Sequence, residues 1–254
     1  MDEFIPTFTI GGLVFSIPMM FMTVITALLV LLFTWMGTRK MTPGVPKGMQ
    51  NLFEWIVDFI RGFADQFMGK KVGHQFVTLT LTLFLYILIS NLLELFFMGM
   101  THYVEPVKAL GITEDLIQEH EGHVGVTWWK SPTATASVTF SLALVVLLYS
   151  HYLGLKRGVK KYLKRYTHPN PFLGPPLAIM EEFLIKPLTL PLRLFGNIFA
   201  GEVLILFLLN LGFVAAALPL LAWLGYSVFI AGIQAFIFTA LSMVYISDHI
   251  SDEH

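Results

Sequence analysis

Pro191-Leu192-Arg193-Leu194-Phe195-Gly196-Asn197-Ile198-Phe199-Ala200-Gly201-Glu202 decides the class of fold. Residues 203–247, which follow it, hold no Asp, Glu, Lys or Arg. A helix needs about 20 apolar residues to cross a bilayer. This run therefore holds the end of one span and the whole of another. Arg193 keeps its charge at any physiological pH. At the centre of a bilayer such a charge costs at least ~2.5–3.5 kcal/mol, and the default reading is a functional site on an ion path. Glu202, nine residues later in the same apolar surroundings, strengthens that reading.

The rest of the chain agrees. It has 254 residues, 56% apolar and 13% charged, where a soluble domain runs nearer ~25% charged. Residues 4–38 and 131–155 carry no charged side chain either. The absence of cysteine excludes disulfides and thiolate metal sites. No glycine-rich phosphate loop with a following Lys-Ser or Lys-Thr is present, which argues against nucleotide binding. Met1-Asp2-Glu3 lacks the basic region of a signal peptide, so the first apolar run is expected to stay as a span.

The expected fold class is an all-α polytopic membrane protein forming a single membrane domain over 1–254. It has about five membrane helices and one amphipathic interfacial helix. The spans are placed at 11–36, 75–100 and 133–155, with a long helix pair at 176–211 and 218–247. Residues 49–67 recur as polar Gln50, Glu54, Asp58, Arg61 and Asp65, with apolar Leu52, Phe53, Ile56, Phe59, Ile60 and Phe63 filling the rest. That period marks a helix lying in the interface. The 176–211 helix measures ~54 Å at ~1.5 Å per residue, against a hydrocarbon core of ~30 Å. It must tilt, bend or start outside the core, and Pro187 and Pro191 favour a kink. The last two helices are expected as a steeply tilted hairpin.

Segments 39–71 and 156–165 hold twelve of the sixteen Lys and Arg, whereas the acidic 101–131 loop holds Lys108 and Lys130. The positive-inside rule then puts the N-terminus and this loop outside and the C-terminus in the cytoplasm.

On a helical wheel Glu182, Lys186, Thr189, Arg193, Asn197 and Ala200 share one stripe. Glu202 falls about half a turn away from Arg193 and ~13.5 Å along the axis, so the two cannot pair on a straight helix. Asn91 and Glu94 share a face of the second span, near its outer end. Carboxylates at both ends of the membrane with a fixed positive charge between them suit two half-paths kept apart. Glu181, Glu182 and Lys186 read equally well as snorkelling side chains at the interface. Gln234 reads equally well as a helix-to-helix bond, and the Thr and Ser run at 133–141 as packing glue. Gly196 and Gly201 are expected as small-residue packing positions. His120-Glu121-Gly122-His123 lacks the His-Glu-x-x-His zinc spacing. No metal site and no cofactor are expected.

At these residues the chain resembles the a subunits of bacterial F-type ATP synthases. The resemblance runs along nearly the whole chain. It rests on Leu192 to Glu202, on Gln234-Ala235-Phe236-Ile237-Phe238-Thr239-Ala240-Leu241, and on Asn91-Leu92-Leu93-Glu94-Leu95. Trp129-Lys130-Ser131-Pro132-Thr133 resembles the Bacillus-type branch.

The resemblance implies a proton-channel stator subunit with two offset half-channels, not catalytic alone. Arg193 would face the carboxylate of each passing c-ring subunit and block direct leak. Glu202, Gln234 and Glu94 match half-channel positions, with Asn91 and Asn197 beside them as proton-path candidates. The implied partners are the c-ring, the b subunits of the peripheral stalk, the rest of the complex and the lipid bilayer, without nucleic acid. The implied location is the bacterial plasma membrane. Ser227 stands where some members carry a histidine, and Pro191 where many have a small residue. Two rival readings are weaker. A membrane enzyme would need a nucleophile–base pair, and none has persuasive spacing. A self-contained transporter would show internal repeats, and none is evident.

Overall fold

The computed structural model describes residues 4–96, 100–107, 110–119, 122–165 and 174–250. The chain opens on a small hairpin, β1 (Thr7–Ile10) and β2 (Leu13–Ser16), rather than on helix from residue 11. Gly11 and Gly12 turn it with φ of 59° and 84°, a conformation costly to residues with a Cβ. Ser16 then caps α1 (Ile17–Thr38), its Oγ accepting from the Met19 N–H, with Pro18 in the first turn. Within α1 the hydroxyls of Thr23, Thr26 and Thr34 donate to carbonyls four residues back, so they need no water.

Helix α2 (Met49–Met68) buries Phe53, Ile60, Phe63 and Ala64, its apolar stripe, against α1, α3 and α9. The Phe63 and Phe236 rings lie 4.8 Å apart. At Gly37 of α1 a Cβ would fall 2.6 Å from Phe53, so this crossing requires glycine. Helix α3 (Lys70–Phe96) leads into the strand β3 (Met100–Tyr103). The 101–131 segment, expected as a plain loop, holds β3 paired antiparallel with β4 (Val124–Thr127) and the short α4 (Glu114–Glu119). Ile112, Ile117, Val124 and Val126 give it a small core of its own. The Phe4 N–H donates to the Gly125 carbonyl at 3.0 Å, so the start of the chain packs on this segment.

Helix α5 (Ala136–Arg157) and the short α6 (Val159–Arg165) follow. The long fourth helix is not one regular rod. It runs as α7 (Gly174–Met180), a π turn (Glu181–Ile185) and α8 (Lys186–Leu209). The Lys186 N–H bonds to the Glu181 carbonyl, five residues back. Pro187 has no N–H to continue the ordinary i→i−4 ladder, and the wider turn absorbs the break just before it. A tight turn at Gly212, φ 82°, reverses the chain into α9 (Phe213–Ile250).

Leu83 and Ile87 of α3, Val146 and Leu147 of α5, Leu190 and Leu194 of α8, and Phe238 and Ile246 of α9 form the main core. Five helices are long and apolar enough to cross a membrane, and they bury only 12–44% of their apolar windows within the chain. Leu31, Leu148, Leu221 and Phe229 are 58–68% exposed. Apolar faces of that extent are stable against lipid, not water. The protein is an all-α polytopic membrane protein carrying two small hairpins outside its spans.

Candidate functional site

The polar residues gather in two places along the fourth helix, with Arg193 between them. Near the β3 end of α3 lies an open cleft of about 580 Å³ between α3, α8 and α9. Asn91 and Glu94 line it from α3, Asn197 and Gly201 from α8, and Trp223, Tyr226 and Ser227 from α9. Spacing of three on α3 puts the first two on one face, and the helix pair supplies the rest. Asn91 is held in place: its Oδ1 accepts from Thr133 Oγ1 at 2.6 Å. Thr133 in turn lies 2.6 Å from Ser131 Oγ, which is 3.0 Å from Ser90 Oγ. All three hydroxyl residues are fully buried. The Ser and Thr residues ahead of α5 thus act as packing glue and also fix a cleft residue.

Gln234 does not line this cleft. It sits half-buried on α9, three residues beyond Ala231, which does. The Glu202 side chain lies outside the described residues; its neighbour Gly201 is on the cleft wall. A Cβ at Gly201 would meet only Trp223 at 3.7 Å, and at Gly196 nothing within 4 Å, so among the described residues no helix uses these glycines for close approach.

The other gathering is at the opposite end of α8. Lys186 is buried with Glu182, its Nζ donating to Glu182 Oε2 at 2.9 Å. Asp248 Oδ2 of α9 is 3.3 Å from the same nitrogen and Glu181 Oε1 3.7 Å. The Tyr245 ring lies 5.0 Å beneath the ammonium. Lys186 and Glu182 do not snorkel, whereas Glu181 stays exposed. The side chains of Lys186 and Glu182 are 6% and 4% exposed, enclosed by α5 and α9. A separated buried charge would be costly, and this lysine is fully compensated.

Arg193 differs. It lies exposed on α8, about two turns from Lys186. No ion pair among the described residues includes it. The wheel stripe from Glu182 to Ala200 is therefore split. Its first part is closed over by α5 and α9, and its second part, Arg193, Asn197 and Ala200, is open. Beside it runs an apolar exposed row, Leu188, Leu192, Phe199, Val203 and Phe207. Sequence reasoning missed the enclosure of Glu182 and Lys186. The signal was the i,i+4 acid–base spacing, which alone does not tell a buried pair from a surface one.

The family model described as "ATP synthase A chain" matches residues 20–247. ATP synthase subunit a of Oceanobacillus iheyensis is 42% identical, the alignment covering 97% of this chain and 95% of that protein. The subunits a of Priestia megaterium and Bacillus subtilis are 41% and 40% identical over 98% and 96% of this chain, and over the same shares of their own lengths. An apolar chain with five described helices long enough to cross a membrane thus has matching relatives along nearly its whole length, and it belongs to the ATP synthase A chain family, the proton-translocating membrane component that is not itself a catalyst.

Proposed function

We propose that this chain is the stator half of the proton path of an F-type ATP synthase, working as two offset half-channels with an arginine gate between them. The observation that carries this is the position of Arg193. It is exposed on an apolar face, without a counter-ion among the described residues, between a polar cleft toward one end of the chain's spans and a buried charged cluster toward the other. An arginine in lipid without a partner is untenable. A face so built calls for a second protein that brings a carboxylate, and the rotor ring of small c subunits is that protein.

In this reading Asn91, Glu94 and Asn197, with Glu202 and Gln234, serve the outer half-path. Glu182 and Lys186 stand at the inner end. Arg193 favours the ionised rotor carboxylate, because an adjacent cation lowers a carboxyl pKa. A protonated rotor site arriving there releases its proton to the exit side. The guanidinium charge also repels protons that would leak straight from one half-path to the other. Each proton crossing contributes ~2.3 kcal/mol per 100 mV, and the gate turns that into directed rotation. The whole chain acts as one membrane unit, its N-terminus outside and its C-terminus in the cytoplasm, with the b subunits of the peripheral stalk holding it against the turning ring.

The test is Arg193→Ala in the assembled complex. Assembly is expected to persist, ATP synthesis to be lost, and passive proton flux through the membrane sector to continue. Coupled synthesis in this variant would overturn the assignment.

A further inference from the structure

Beside Lys186 lies a second constellation, which shares Glu182 with the inner end of the proposed proton path. His151 of α5, Glu182 of the π turn and His249 of α9 converge, each offering one ligand atom, all within 4.8 Å of one another. The His249 side chain is fully buried and that of Glu182 is 4% exposed; His151 forms the rim at 16%. Gly154 makes room for the group: a Cβ there would fall 2.9 Å from Tyr162 and 3.2 Å from His249.

The hydrogen bonds fix how these groups face. Ser150 Oγ donates to the Tyr245 carbonyl at 2.8 Å. His249 Nδ1 lies 2.8 Å from that same carbonyl and 2.6 Å from Ser150 Oγ. With the serine proton already used, Nδ1 must carry the hydrogen. His249 Nε2 then faces Glu182 Oε1 at 3.2 Å. Either a proton on Nε2 or a metal ion between the two atoms joins them at that distance. His151 brings Nε2 to 3.9 Å from the same oxygen, while its Nδ1 lies 2.9 Å from Tyr162 Oη. The other carboxylate oxygen is held by Lys186. Metal-binding imidazoles have this pattern, one ring nitrogen fixed by an outer partner and the other aimed inward.

Ligands held ~2.0–2.1 Å from a tetrahedral zinc lie ~3.3 Å apart, and the contacts of 3.2 and 3.9 Å to Glu182 lie close to that spacing. Two nitrogens and one oxygen favour zinc-class ions over magnesium or calcium, which take oxygen ligands. We propose that His151, Glu182 and His249 bind one divalent transition-metal ion of the zinc class, clamping α5, the π turn and α9 together. The site stands on these residues alone and does not depend on the proton-path reading.

The experiment uses the purified intact complex, stripped with a chelator and titrated with Zn²⁺, with Co²⁺ as the optical probe. One tight Zn²⁺ equivalent per copy of this chain is expected. His151→Gln and His249→Gln should each weaken it at least tenfold and remove the Co²⁺ visible bands of a low-coordinate nitrogen site. Should His249→Gln prevent assembly, His151→Gln on the rim carries the test. His102→Gln, beside His123 in the β3–β4 hairpin, should change nothing. The proposal is overturned if wild type binds no tight equivalent, if His151→Gln binds as wild type does, or if His102→Gln removes the equivalent instead.

Discussion

The two ends of one polar stripe on the fourth helix are built on opposite principles. At Glu182 and Lys186 both side chains are enclosed, and the ammonium is answered from within the chain, by Glu182, Asp248, Glu181 and the Tyr245 ring. At Arg193 and Asn197 the same stripe is open, with bare Gly196 and exposed Leu192 and Phe199 beside it. The difference separates what a chain must do to fold from what it leaves for a partner. A buried charge left unanswered would destabilise the fold, whereas a charge on an open face is answered only on assembly.

The sharpest way to break the comparison is at Arg193. Arg193→Ala should abolish ATP synthesis without lowering the amount of assembled complex. Arg193→Lys should restore little, because an ammonium is a point charge on a flexible stem and lacks the planar fork of guanidinium. Full synthesis with lysine would mean that charge alone suffices. Lys186→Ala should act in the opposite sense, on the fold first. It strands Glu182 and Asp248 near one another with no ammonium, and losing one partner of a buried pair costs about 3–5 kcal/mol. Thermal unfolding of the purified complex should show it as a lowered midpoint. Glu182→Gln combined with Lys186→Met should recover most of the loss. An unchanged midpoint in Lys186→Ala would mean that the cluster is solvated in the membrane.

Glu202→Gln should have a smaller effect. It removes one titratable group from the outer half-path and leaves the gate, so proton-driven synthesis should slow several-fold but stay coupled. Rates in energised vesicles that match wild type would place Glu202 among structural residues.

Much of this was legible in the sequence, for reasons that differ by element. Charge-free runs such as 131–155 and 203–247 announce spans because nothing but a bilayer tolerates them. The three-and-four period of Gln50, Glu54, Asp58, Arg61 and Asp65 announces an interfacial helix, and of the apolar residues between them α2 buries Phe53, Ile60 and Phe63 and leaves Leu52 and Phe59 exposed. The hairpin before α1 was hidden. Ile10 to Ser16 is uncharged and apolar, so its period of two cannot be told from the start of a span, and only Gly11-Gly12 hints at a turn. The π turn was hidden because Pro187 predicts a disturbance but not whether the helix kinks or widens. At the site, Asn91 and Glu94 were visible as a pair by spacing, and Thr133 as a polar residue with no stated task. The joining of His151, Glu182 and His249 was beyond reach, since their elements are far apart in the chain and no motif spacing links them. The reading of no metal site weighs the local spacing at His120 to His123.

The finest test of the comparison is a single methyl group placed at each end. Gly154 and Gly196 are both helical glycines facing the polar stripe's surroundings. At Gly154 an alanine Cβ meets Tyr162 at 2.9 Å and His249 at 3.2 Å, so the closed end must shift. Overpacking of this kind costs about 1–3 kcal/mol, and Gly154→Ala should lower the thermal midpoint of the complex. At Gly196 the same methyl meets nothing within 4 Å in this chain, and alanine is the better helix former by about 1 kcal/mol. Folding of Gly196→Ala should therefore be unharmed. If the open face is where the rotor runs, the methyl stands in its way, and the expected result is a modest fall in proton-driven synthesis with no fall in the midpoint. Normal synthesis in Gly196→Ala would mean that the rotor keeps its distance at this level of the helix. The two glycines would then differ only in packing, and the case for an external partner would rest on Arg193 alone.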